Sequence, residues 1–269
     1  MTAAEASDPG PQHSLRAALR VQLRVIGALT LRELGTRFGR DNLGYLWLFL
    51  EPAMLGGAIG LLHKLTGHAM PGGLDPGTFF VIGYVPFYLL RSVVNRAPSV
   101  ISANQSLLYH RHVTLLDIVI ARNLLEGGAA FGAMLGFLLF FGLVAGEWPH
   151  EPAKIVLGLA FMLLLAHGLG MLVAVGSVYA DLFDRVTHLL TYLSMPLTGA
   201  FYMVFWLPTE LQRMALWIPT VHCFELVRDG QFGARVPTHY DIVYVLGWIA
   251  ALNLLGMAGL RRARRHLVV

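Results

Sequence analysis

The apolar positions of this chain gather into six long runs, each bracketed by charge: Leu43–Leu62, Thr78–Leu90 with a tail to Ala97, Gly127–Gly146, Ile155–Ala180, Leu189–Leu207 and Ile242–Leu260. A hydrocarbon core of ~30 Å takes about 20 apolar residues per helical crossing. The pattern therefore predicts an all-α membrane protein with six transmembrane helices. Ahead of the first run, Leu15, Leu19, Leu23 and Ile26 recur at helical spacing beside Arg16, Arg20 and Arg24. That spacing predicts an N-terminal amphipathic interface helix within residues 15–40, lying among lipid headgroups; a soluble helix packed on a partner is the alternative. Residues 1–14 form a polar tail with Pro9, Gly10 and Pro11, without the basic stretch and apolar core of a cleavable leader.

Two connections stand out. Residues 97–116 are too short for a domain and long enough for one transverse helix. Residues 207–237 carry Pro208, Pro219 and Gly230 where helices start and stop. They predict two short outer re-entrant helices, Leu207–Leu216 and Thr220–Asp229, anchored by Trp206, Trp217 and Phe224, with Glu225, Arg228 and Asp229 facing water. Small residues at four-residue spacing, Gly56 and Gly60 in the first run and Gly128, Gly132 and Gly136 in the third, predict close helix contacts.

Composition agrees with a chain built for lipid: 56% hydrophobic and 13% charged, against about 25% charged in soluble domains. Its single cysteine, Cys223, excludes an internal disulfide. With six crossings, fifteen of the twenty basic residues fall on the N-terminal side, leaving Lys64, Lys154, Arg213, Arg228 and Arg235 on the other. The positive-inside rule then puts both termini in the cytoplasm. Glu51 lies about 12 Å into the first run at 1.5 Å per residue, where an unpaired carboxylate costs about 2.5–3.5 kcal/mol. Arg91 and Arg96 end the second run on the same side and are its candidate partners; snorkelling to the inner surface is the alternative. Arg122 and Glu126 form an i, i+4 pair at the base of the third run.

Enzymatic chemistry finds no foothold. The phosphate-cradling G-x-x-x-x-G-K-[ST] pattern is missing, and the two lysines, Lys64 and Lys154, supply none. The histidines are scattered without a metal-ligand spacing. Asp181, Asp184 and His188 are the one acid–base cluster, and they read as a solvated loop. His167 is the main ionisable group in mid-membrane, which disfavours an ion-coupled carrier. No cofactor is expected in this chain, and nucleic acid is not an expected partner.

Leu31-Arg32-Glu33-Leu34-Gly35-Thr36-Arg37-Phe38-Gly39-Arg40, followed by Leu43-Gly44-Tyr45-Leu46-Trp47 and Glu51-Pro52, resembles the R-E-x-x-T-R-[FY] … G-[YF]-x-W-x-x-x-E-P opening of ABC-2 type permeases. The likeness is to those exporting capsular polysaccharide in Gram-negative bacteria. Tyr109-His110-Arg111, Asp117 and Ala121-Arg122 match that family's inner loop. Pro196 to Tyr202 and Trp206-Leu207-Pro208 match its fifth span, and Trp217-Ile218-Pro219, His222, Glu225 and Arg228 to Gly233 match its outer helices. The resemblance covers residues 15–269.

It implies a homodimer in the bacterial inner membrane, served by two copies of a separate ABC ATPase subunit that holds ATP and Mg. That subunit docks under residues 102–112, so Asn104, Leu107, Leu108, Tyr109, His110 and Arg111 are the coupling candidates. The implied substrate is a long, often acidic polysaccharide on a lipid anchor, a glycolipid passed to a periplasmic co-polymerase adaptor and an outer-membrane exporter. Sugar C–H faces stack on aromatic rings, which makes Tyr84, Tyr88, Tyr192, Phe201, Tyr202 and Trp206 candidate path residues. Arg91 and Arg96 would attract a polyanion, and Arg37, Tyr45, Trp47 and Glu51 are the candidates for packing the inner mouth. An O-antigen, teichoic-acid or drug exporter of the same class, and a membrane-embedded lipid-linked sugar transferase, are the rival readings.

Overall fold

The computed structural model describes residues 15–38, 44–67, 70–109, 113–180 and 182–267. Among them nine α-helices follow in order: α1 (Leu15–Phe38), α2 (Gly44–Leu65), α3 (Pro76–Ala103), α4 (Leu115–Ala145), α5 (Pro152–Tyr179), α6 (Leu182–Ser194), α7 (Thr209–Ala215), α8 (Pro219–Phe232) and α9 (Ile242–Leu267). Short 3-10 turns sit at Gln105–Tyr109, Val204–Trp206 and Gly233–Arg235. Four helices, α3, α4, α5 and α9 to Arg265, are long and apolar enough to cross a membrane, and α2 contributes a shorter apolar stretch, Ala53–His63.

Local chemistry sets the ends of the long helices. Pro76 opens α3, where Asp75 accepts from the Thr78 N–H at 2.8 Å. At α4 a reciprocal capping box forms: Thr114 Oγ1 accepts from the Asp117 N–H, and Asp117 Oδ2 accepts from the Thr114 N–H at 2.8 Å. Gly146, at φ 70°, ends the same helix.

Buried along most of its apolar length, α3 is the central helix and packs against α2, α4, α5 and α6. On its other side α5 carries α9, and α8 lies against the N-terminal half of α5, where Gly158 meets Val227 and the Cys223 carbonyl. Three apolar clusters stack along the bundle. Val100, Ile101, Leu115, Ile118 and Leu260 fill the end near α1. Tyr84, Leu89, Met134, Leu159 and Val227 belong to the middle. Phe79, Phe80, Met203 and Phe232 fill the end near α8.

Three sequence expectations are corrected. The run Leu189–Leu207 is not one helix: α6 starts earlier, at Leu182, stops at Ser194, and gives way to turns through Gly199. Pro196 has no N–H to continue the ladder, and Gly199 sits at φ 96°, a conformation a side chain would strain. Among the described residues of 97–116 there is no separate transverse helix, because α3 runs straight through Pro98 to Ala103 and is capped by Asn104, whose side chain donates to the Val100 carbonyl at 3.0 Å. The third correction concerns α8. Phe224, Glu225 and Arg228 are each 1% exposed, so Glu225 and Arg228 do not face water and Phe224 is no membrane anchor.

The two glycine patterns part ways. A Cβ on Gly60 would lie 2.7 Å from the Gly77 Cα, and one on Gly56 the same distance from the Val81 Cα. Backbone contact between α2 and α3 is what those glycines permit. Around Gly128 and Gly132 of α4 there is open space. Gly60→Val should therefore cost about 1–3 kcal/mol by overpacking, while Gly132→Ala should leave the melting temperature of the detergent-purified chain unchanged. Equal melting of the two variants would refute the contact.

Candidate functional site

An ionic and aromatic cluster joins α2, α3 and α6. On α3, Tyr84, Tyr88 and Arg91 fall at i, i+4 and i+7, one face of a helix. Arg91 ion-pairs with Glu51 of α2 and donates to the Tyr192 hydroxyl of α6 at 2.8 Å. Its guanidinium carbon lies 5.6 Å from the Tyr88 ring centre and 5.5 Å from that of Tyr192, within cation–π range. Tyr84 adds its hydroxyl to Glu51 at 3.3 Å. Five sequence candidates thus meet at one place, and the partner of Glu51 is Arg91. Arg96 goes elsewhere, to Glu126 of α4 at 3.5 Å.

Toward α8 the aromatics continue as a row. Phe201 stands 6.5 Å from Tyr84 and 6.1 Å from Phe80, centre to centre. Phe80 meets Phe79 edge-on at 5.2 Å, and Phe79 packs on Trp206 at 4.9 Å. The Trp206 indole N–H is buried and has no acceptor among the described residues. Tyr202 is half-buried, its hydroxyl donating to the Leu197 carbonyl at 3.1 Å. Tyr84 and Tyr88 are buried, while Tyr192 is exposed.

What positions Phe201, Tyr202 and Trp206 is α8, which the hydropathy pattern hid. Where the fifth run breaks, carbonyls lose their helical partners. Arg228 donates to the Ala200 carbonyl at 2.6 Å and to that of Tyr202, and its guanidinium carbon lies 4.3 Å from the Phe79 ring centre. Glu225 accepts from the Val204 N–H at 3.1 Å and the His239 N–H at 2.9 Å. The Thr220 hydroxyl donates to the Thr198 carbonyl at 3.1 Å. His222 accepts at Nδ1 from the Asp241 N–H (2.9 Å), so its proton resides on Nε2, facing the Leu216 carbonyl at 2.8 Å. The signal available in the sequence was the apolar company of these charges: Phe224, Leu226 and Val227 adjoin them. Further out, Asp229 accepts from Lys154 and from the Tyr240 hydroxyl, both at 2.8 Å. Burial first, and then that bond, push the Tyr240 phenol up from its ordinary range. The hydrogen bond to Glu147 likewise raises Arg235.

At the opposite end, α1 is tied down by charge. Arg122 of α4 ion-pairs with Glu33, and Arg32 donates to the Asn104 side chain at 3.4 Å. Asn104 is buried, while Leu107 and Leu108 are half-buried on the 3-10 turn that follows it. The Tyr109 side chain, residues 110–112, and the side chains of Arg37, Tyr45 and Trp47 lie outside the described residues.

The profile of a family described as ABC-2 type transporter matches residues 24–232. Over 93% of this chain and 94% of the relative, the sequence is 39% identical to the capsule polysaccharide export inner-membrane protein CtrC of Neisseria meningitidis serogroup A. It is 36% identical to the capsule polysaccharide export inner-membrane protein BexB of Haemophilus influenzae, over 92% and 94% of the two chains. With the polysialic acid transport protein KpsM of Escherichia coli it shares 31%, over 90% and 95%.

Two sets of variants probe this geometry. Glu51→Arg and Arg91→Glu should each cost about 3–5 kcal/mol, the range for breaking a largely desolvated pair. The double swap should recover most of that in denaturant unfolding; no recovery refutes the pairing. Arg228→Met should cost about 3–5 kcal/mol by stranding Glu225 and two carbonyls, whereas Arg213→Met, at an exposed position, should stay within about 0.5 kcal/mol. Comparable losses for these two would remove Arg228 from its assigned role.

Proposed function

This chain belongs to the ABC-2 type transporter family, and we propose that it is the membrane permease subunit of an ATP-driven exporter that moves lipid-linked capsular polysaccharide from cytoplasm to periplasm. The observation that carries the reading is the alignment, over more than nine-tenths of both chains, with relatives named for capsule polysaccharide export. In this reading ATP and Mg sit on two copies of a separate ATPase, docked against a homodimer beneath Asn104, Leu107, Leu108 and residues 109–111. The basic α1 end faces the cytoplasm, and α1 lies in the headgroup layer with Leu19, Leu23 and Leu31, all exposed, turned to lipid. The α8 end faces the periplasm, where the adaptor and the outer-membrane exporter take the polymer.

The aromatic row supports a sugar path. Its rings offer stacking faces indifferent to sugar sequence, Trp206 offers an unused donor, and Arg91 offers charge to a polyanion at the inner mouth. Since Tyr84 and Tyr88 are buried, the polymer reaches them when α2 separates from α3, and the closed arrangement is the resting one. Coupling runs through Asn104 to Arg32 and through Arg122 to Glu33, so a push on the connecting segment reaches α1 and α4 together.

In vesicles containing this chain and its ATPase, ATP should drive glycolipid translocation, and omitting the ATPase should abolish it. Uphill transport by the chain alone would overturn the reading. In cells, Tyr202→Leu with Trp206→Leu should lower surface polysaccharide at normal protein level. Undiminished export would strike both residues from the path.

A further inference from the structure

At the α1 end a cavity of about 260 Å³ opens between α1, the start of α4 and the end of α9. Leu115, Leu116, Met257 and Leu260 form its apolar wall, and Arg261 and Arg264 stand at its rim. Met257, Leu260, Arg261 and Arg264 share one face of α9 at helical spacing, so that face turns from apolar to basic within about 10 Å of helix rise. In a helix that crosses a membrane, such a turn from apolar to basic belongs where hydrocarbon gives way to headgroups. Both arginines are exposed, and among the described residues no carboxylate pairs with either. Asp117, whose partners Gln22 and Thr114 both line the cavity, is fully buried and already engaged: Gln22 donates to one oxygen and Thr114 to the other. Arg262 and Arg265 add to the positive field.

We propose that this cavity is a binding site for one anionic phospholipid, with the phosphate held between Arg261 and Arg264 and the first acyl segment against Leu115, Leu116, Met257 and Leu260. Charge complementarity selects the anion, and the apolar wall selects a lipid over a free phosphate. The bound lipid would staple α1 to α9, the two helices that line this cavity from opposite ends of the chain. The site depends on the chain being in a membrane and not on which polymer it exports, so it stands or falls apart from the transport reading.

The test is made on the full chain in complex with its ATPase, extracted from nanodiscs of phosphatidylcholine with phosphatidylglycerol and examined by native mass spectrometry. Wild type should retain phosphatidylglycerol in preference to phosphatidylcholine. R261Q/R264Q should lower that retention about thirtyfold, each charge near the surface contributing a factor of about five. Leu116→Trp, which fills the cavity and keeps both arginines, should lose the lipid as well; Met257→Trp serves if the first does not fold. Arg213→Gln, on an exposed residue of α7, should change nothing. Equal retention of the two lipids by wild type overturns the proposal. So does full retention by R261Q/R264Q, retention by a folded cavity-filled variant, or displacement by inorganic phosphate.

Discussion

A helix that breaks inside an apolar bundle frees carbonyls where lipid offers no donor, and here the donors are side chains, two hydroxyls and one guanidinium. Arg228 reaches the Ala200 and Tyr202 carbonyls while Glu225 holds the Val204 N–H. The stretch after α6 thereby becomes a fixed element, and the ring positions of Phe201, Tyr202 and Trp206 follow from it. Arg suits this place because its donors are spread over a planar fork and its charge lies against an aromatic face, Phe79. A buried charge is expensive to desolvate, so the site needs every contact it makes. That need explains why α8 is packed so completely despite carrying Glu225, Arg228 and Gln231, all nearly unexposed.

The charges at the other end are arranged by a different logic. Glu51–Arg91, Arg96–Glu126 and Glu33–Arg122 each join two helices, and together they link α1, α2, α3 and α4. None of them fills a backbone gap. They fix which side chains face one another across helices whose apolar surfaces alone would slide, since lipid tails give little preference for one apolar contact over another.

The four long helices were legible because their apolar runs are continuous, and the ends of α3, α4 and α5 carry Pro, Gly or a capping box. That Glu51 pairs with a basic residue at the end of the second run was legible as well, because the opposite charges fall at similar depth on neighbouring runs; the choice of Arg91 over Arg96 was not. The break after Ser194 was hidden by Leu197, Phe201 and Met203, which keep hydropathy high across a stretch whose backbone is not helical. Arg228 and Glu225 were misplaced because a hydropathy reading assigns every charge to water. Their actual partners are backbone groups distant in sequence, which no local spacing encodes. Gly60 and Gly132 show the same limit: identical spacing, yet only the first meets another backbone.

An ion pair at the α2–α3 contact is a poor choice if stability alone mattered, since replacing a buried pair with well-packed apolar residues is often neutral or stabilising by about 1–4 kcal/mol. It is a good choice for a contact that has to reopen, as the proposed path requires of this one. Separating apolar side chains into a wet path costs about 25 cal/mol per Å² exposed, whereas Glu51 and Arg91, once apart, regain their hydration. Gly56 and Gly60 act in the same direction, giving α2 close contact through backbone with little side-chain surface to expose. The α8 end has no such allowance: parting Arg228 from the Ala200 and Tyr202 carbonyls would leave both sides unsatisfied. The two ends of the aromatic row are therefore unequal, one held by groups that water can replace and the other by groups that it cannot reach. Opening should begin at Glu51 and Arg91, with the α8 end as the fixed frame.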